Sequence, residues 1–139
     1  GTQEEGELLA KARVIYRELT KQTPNDADAW AAYARSLDDP RESLQPLRQA
    51  ESLAPNDPYI KFSLGMLYAH GLGDLKTGAA YLERAVALEQ NTPKLTYLDQ
   101  LADIYQLSGD ETRAIELRNA MKLFEKELEA KDRRNKQKH

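Results

Sequence analysis

Cysteine is absent from this 139-residue chain. That excludes disulfides and thiolate metal ligands, but it fixes no compartment, since secreted and cytosolic domains alike can do without it. Histidine is nearly as scarce, with His70 before a glycine-rich stretch and His139 at the end of a polar tail. Two histidines so placed offer no trio of metal ligands, and no cofactor is expected. No apolar run approaches the roughly 20 residues that span a bilayer. Sustained β-type alternation is missing as well. One tryptophan and two phenylalanines leave seven tyrosines to supply most of the aromatic bulk. With 40% apolar and 31% charged residues, the chain suits a solvent-rich helical domain better than a thick two-sheet core. Its length fits one domain with a modest core. The sequence opens with "GTQEEGE" and no initiator Met, which reads as a piece cut from a longer chain. Its expected location is the cytoplasm, or the periplasm if a leader or anchor was removed.

Charge is unevenly spread. Residues 131–139, "KDRRNKQKH", carry five Lys/Arg against one Asp, whereas the rest holds 15 Lys/Arg against 22 Asp/Glu. An acidic body is a poor platform for nucleic acid. The tail continues a helical pattern, and cations near a helix C-terminus favour its dipole. Membrane contact is expected only through this tail or a removed anchor.

What is present is helical periodicity with regular punctuation. Leu8, Leu9, Ala12, Ile15, Tyr16 and Leu19 recur at i, i+3/i+4, i+7, as do Leu82, Ala85, Val86 and Leu88. Asp26, Asp39-Pro40, Gly73-Asp74 and Gly109-Asp110 each read as a stop followed by a new N-cap. Thr92-Pro93 reads as an N-cap with proline at the first helical position. The spacing predicts helices near 4–22, 27–37, 40–53, 57–70, 75–89, 93–107 and 111–134. Pro46 falls inside the third, which predicts a kink there or a start near Ser43.

The chain also repeats itself. "TPNDADAW" at 23–30 and "APNDPYIKF" at 54–62 share Pro-Asn-Asp, and "QNTPKLTYL" at 90–98 is a weaker third copy. Side chains recur in phase with it. Tyr33-Ala34 and Leu37, Leu64-Gly65 and Tyr68, and Leu101-Ala102 and Tyr105 occupy matching places. So do Ala12, Tyr16 and Leu19; Leu47 and Ala50; Gly78, Leu82 and Ala85; and Ala114, Arg118 and Met121. Small residues at such places let two helices nearly touch, and large ones fill the gaps between them. Over roughly residues 8–124 this pattern resembles the tetratricopeptide repeat family, with the second repeat similar to Sel-like repeats. The resemblance implies an all-α, right-handed solenoid of antiparallel helix pairs, about seven helices in all. It divides the chain into an N-terminal helix (1–24), repeats at 25–56, 57–92 and 93–124, and a helical extension with the basic tail (125–139). Repeat one is about three residues short between its helices, and repeat two is slightly long.

"LGMLYAHGLGD" at 64–74 could suggest a phosphate-binding loop, but a helix precedes it where such loops need a strand, and the Walker spacing is wrong. Ser63 lies on a regular helix without the sharp turn of a nucleophile elbow. Carboxylates fall on polar helix faces. The chain is therefore expected to be non-catalytic, with no small-molecule substrate.

The resemblance implies instead a protein-interaction scaffold or adaptor that holds a peptide or helix of a partner in its concave groove. Carried over position by position, the groove residues are Asp28, Ala31 and Arg35; Tyr59, Phe62, Ser63, Met66 and His70; and Thr96, Asp99, Asp103 and Gln106. Tyr59, Phe62 and Met66 form an i, i+3, i+7 apolar stripe, while Arg35, Asp99 and Asp103 would orient a ligand. The Lys/Asn/Arg clamp that some family members use on chaperone C-termini is missing, since its positions hold Ala31, Arg35, Ser63, Thr96 and Gln100. Two alternatives stand beside this reading. One is self-association as a homo-oligomer through Leu123, Phe124 and Leu128 on the last helix. The other is a regulatory domain of a larger, membrane-anchored protein or enzyme.

Overall fold

A computed structural model describes residues 1–89 and 94–138. Among them there is no strand, and seven α-helices follow one another: α1 (Thr2–Gln22), α2 (Ala27–Ser36), α3 (Pro40–Leu53), α4 (Pro58–Met66), α5 (Leu75–Leu88), α6 (Leu95–Leu107) and α7 (Glu111–Gln137). Each helix packs against the next in the chain, as short connections between helices require. The result is a helical solenoid. No helix among the described residues is long and apolar enough to cross a membrane.

Aspartates start five of the seven helices. The Asp26 carboxylate accepts the N–H groups of Asp28 and Ala29, and Asp57 accepts those of Tyr59 and Ile60. Asp39, Asp74 and Asp110 accept from Arg41, Thr77 and Arg113. Each satisfies first-turn donors that the helix itself cannot. The repeated Pro-Asn-Asp element is thus a turn plus a cap, closed by Asp26 N–H donating to the Thr23 carbonyl and Asp57 N–H to that of Ala54. Gly73 and Gly109 both adopt positive φ, 71° and 86°, which is why glycine stands before Asp74 and Asp110. The expected Thr92-Pro93 cap lies outside the described residues.

Two helices bear on the sequence-based expectations. First, α3 spans Pro40–Leu53 as the spacing predicts, with a buried Pro46 inside it, and the alternative start near Ser43 does not occur. Proline lacks the N–H that would bond the carbonyl of Glu42, and Glu42 is an exposed residue, so the missing bond falls on the solvent side of the helix. Second, the helix expected over 57–70 is regular only to Met66, and Leu67–Gly71 continue it as a π-helical turn. Leu72 N–H donates to the Leu67 carbonyl at 3.0 Å and Asp74 N–H to that of Tyr68 at 2.8 Å. The cause is a count of residues. Six positions separate Tyr68 from its capping Asp74, whereas five separate the matching Tyr105 from Asp110. The wider turn absorbs the extra residue.

The core consists of two adjoining clusters. Ala31, Ala34, Leu47, Ala50, Ile60, Leu64 and Tyr68 form one, between α2, α3 and α4. Ala69, Leu82, Leu101 and Ile104 form the other. Close approach of α4 and α5 joins them. A Cβ on Gly65 would lie 2.9 Å from Leu82 Cγ and 3.0 Å from the Gly78 carbonyl oxygen, and one on Gly78 would lie 2.6 Å from Ala69 Cβ. Glycine inside a helix costs roughly 1 kcal/mol relative to alanine. That cost is offset here by a helix contact that no side chain could enter.

Candidate functional site

The leading candidate is a mostly apolar cleft of about 480 Å³ between α2, α3 and α4. Arg35, Leu37 and Asp38, Pro40 and Leu47, and Phe62, Ser63, Met66, Leu67 and Gly71 line it. A short α2 accounts for the opening. Leu37 occupies the place that Tyr68 and Tyr105 hold in the later repeats, yet the next cap, Asp39, follows only two positions on. Repeat one therefore lacks the last helical turn and the tyrosine that fills this corner elsewhere. The longer end of α4 reaches into the gap and seats Gly71 against Pro40, where an added Cβ would meet Pro40 Cβ at 2.8 Å.

Three of the seven expected site residues, Arg35, Phe62 and Met66, line this cleft, and a fourth, Tyr59, touches it only through Arg35. Arg35 is exposed and donates to the Tyr59 hydroxyl at 3.2 Å, with its guanidinium carbon 5.6 Å from the ring centre. Tyr59 is 42% exposed. Phe62 and Met66 are half-buried. Phe62 stacks on Tyr97 of α6, ring centres 4.5 Å apart, and Met66 packs against the second core cluster. Both side chains therefore serve the fold and the cleft at once.

The other three sit apart. His70 is exposed within the π-helical turn and does not line the cleft. Asp99 is exposed on α6. Asp103 accepts from Arg118 of α7 at 2.9 Å, and the same guanidinium donates to Gln106 at 2.7 Å. Arg35 and Asp103 are thus engaged by different helices, α4 and α7, rather than with each other. Ala31, expected in the groove, is 3% exposed and belongs to the first core cluster, because its small methyl lets α2 lie close to its neighbours. Sequence reasoning missed Leu37, Asp38, Pro40, Leu47 and Leu67 as cleft residues.

A second, smaller cleft lies between α5, α6 and α7, lined by Lys76, Glu83, Tyr105, Asp110 and Arg113 among others. Tyr105 donates its hydroxyl proton to Glu83 at 2.6 Å. Burial, then the Glu83 carboxylate, pushes the Tyr105 phenol up to about 12. Tyr68, at the matching place one repeat earlier, accepts from Arg48 instead and stacks on Tyr81.

Neither a family model nor a curated protein matches the chain. Solved structures do. MamA residues 41 to the end, from Desulfovibrio magneticus RS-1, superpose with a TM-score of 0.78 at 20% identity, over 89% of this chain and 70% of that one. A further MamA crystal structure gives 0.71 at 20% identity, over 84% and 68%. TTC0263, a thermophilic tetratricopeptide repeat protein of Thermus thermophilus, gives 0.65 at 24% identity, over 95% and 74%. The chain therefore has a tetratricopeptide-like fold.

Proposed function

We propose that the chain is a non-catalytic scaffold that holds a peptide or helix of a partner protein on the face formed by α2 and α4. The observation that carries this reading is the cleft between α2, α3 and α4. It is concave and mostly apolar, and Arg35, which lines it, also contacts the ring of Tyr59. Such a site suits one apolar side chain of a ligand, held in place by contacts from a cation and a tyrosine ring. Asp99, exposed on α6, would favour a basic residue farther along the ligand.

Selection from a displayed library of random peptides tests this. Binders are expected to share a Leu, Met or Phe anchor. Ser63→Trp, which fills the cleft, should abolish their binding, and Tyr59→Ala and Arg35→Glu should each weaken it about tenfold. Phe62→Ala is the poorer probe, because it also removes the stack on Tyr97. Selected peptides that bind all three variants as tightly as the unaltered chain would remove the cleft from consideration.

A further inference from the structure

The two terminal helices each leave an apolar surface uncovered. On α1, the body of the protein takes the side bearing Ala12, Arg13, Tyr16 and Thr20. Leu8 is 66% exposed, Ile15 64% and Val14 63%. Leu8, Ile15 and Leu19 recur at i, i+7, i+11, within about 40° of one another around the helix. Ala10, Lys11, Val14 and Ile15 border a shallow cleft beside them. At the other end of the stack, α7 outruns its neighbour. Its 27 residues span roughly 40 Å and the 13 of α6 roughly 20 Å. The face of α7 that carries buried Ala114 and half-buried Leu117 continues through Met121 and Phe124 to Leu128, which is 44% exposed.

Charge identifies what fits where. The first turns of α1 expose Glu4, Glu5 and Glu7, and the last turns of α7 expose Lys131, Arg133, Arg134, Lys136 and Lys138. Laid antiparallel, α7 sets its basic end on these glutamates, Leu128 opposite Leu8, and Met121 and Phe124 opposite Ile15. Laid parallel, the same basic end would face Arg17, Glu18 and Lys21, which together carry a net positive charge. The complementary surfaces stand at opposite ends of one helix stack, so a single copy cannot bring them together. We infer that the α7 end of one copy docks antiparallel along the open face of α1 of a second copy. This contact joins two different surfaces, so it propagates into a ring or an open chain of copies.

Light scattering and sedimentation of the 139-residue chain over a wide concentration range test it. The unaltered chain should form species larger than a dimer at high concentration, less readily as salt is raised, since exposed charges are screened beyond about 8 Å at physiological ionic strength. Ile15→Asp and Leu128→Asp change exposed side chains, so each should keep its helical circular dichroism yet lose association by about a hundredfold. Mixed together, each supplies the surface the other lacks, and the mixture should stop at a one-to-one dimer. Glu4→Lys with Glu5→Lys should weaken assembly, and pairing that variant with Arg133→Glu and Arg134→Glu in a second chain should restore it. A chain that stays monomeric at every concentration overturns the inference. So does assembly unaffected by Ile15→Asp, or a mixture of the two aspartate variants that forms no dimer.

Discussion

Helices α4 and α6 hold the same place in successive repeats, yet they present different chemistry to the outside. Inward they agree. Leu64 and Leu101 are buried at matching positions, and Gly65 and Ala102 are the small residues against which the next helix packs. Outward, α4 offers Tyr59, Phe62 and Met66, whereas α6 offers Thr96, Asp99 and Gln106. Their tyrosines differ as well: the Tyr68 hydroxyl accepts from Arg48, and the Tyr105 hydroxyl donates to Glu83, although Arg48 and Glu83 occupy equivalent places on α3 and α5. The difference shows that the repeat prescribes size at the contacts and a polar partner for each tyrosine. It leaves the sign of that partner, and the outer surface, free to vary.

Truncating the shared core should break both helices alike. Leu64→Ala and Leu101→Ala are each expected to lower the unfolding free energy by about 2–5 kcal/mol in urea titrations. A large loss in one and almost none in the other would mean that the repeats are not mechanically equivalent. Smaller, and opposite in the two repeats, is the effect of one methyl. Ala114 matches Gly78, so α6 and α7 accommodate a Cβ that α4 and α5 cannot. Gly78→Ala should therefore cost about 1–3 kcal/mol through overpacking, despite a helix-propensity gain of about 1 kcal/mol. Ala114→Gly should cost about 1 kcal/mol.

The smallest effect separates the two tyrosines. An alkaline absorbance titration should show one phenol ionising at about 12, lost in Tyr105→Phe and moved down in Glu83→Gln. It should stay above the ordinary value in Glu83→Gln, because burial is the larger cause. The sign for stability follows from the proton that the folded state retains. Between about 10 and about 12 the unfolded chain has released it and the fold has not, so the Tyr105 contribution is complete below that window and is lost as pH rises through it.

Much of the helical layout is legible in the sequence because its signals are local. An aspartate that caps a helix bonds groups two or three residues away, and Gly73 and Gly109 mark positive φ at their own positions. The small-residue contacts are legible through repetition, since Gly65, Ala34 and Ala102 reinforce one another. The cleft is harder to see. Part of its lining comes from Leu37 and Pro40, residues that look like ordinary loop and cap, and their role arises from a turn that α2 lacks. The stack of Phe62 on Tyr97 joins residues far apart in the chain, and nothing local to either announces the other. Asp103 reads as a free groove carboxylate until α7 brings Arg118 beside it.

The π-helical turn at Leu67–Gly71 has one more consequence, best put as error propagation. In a stack of near-identical units, a misplaced rotation at one step is inherited by every later step and grows with distance. Here the surplus residue is taken up within the corner where it occurs, so Asp74 and α5 begin in phase and α6 and α7 follow as though no residue had been added. A corner of this kind acts as a buffer between units. It lets the chain gain or lose residues where helices turn, while the positions where helices touch keep their count.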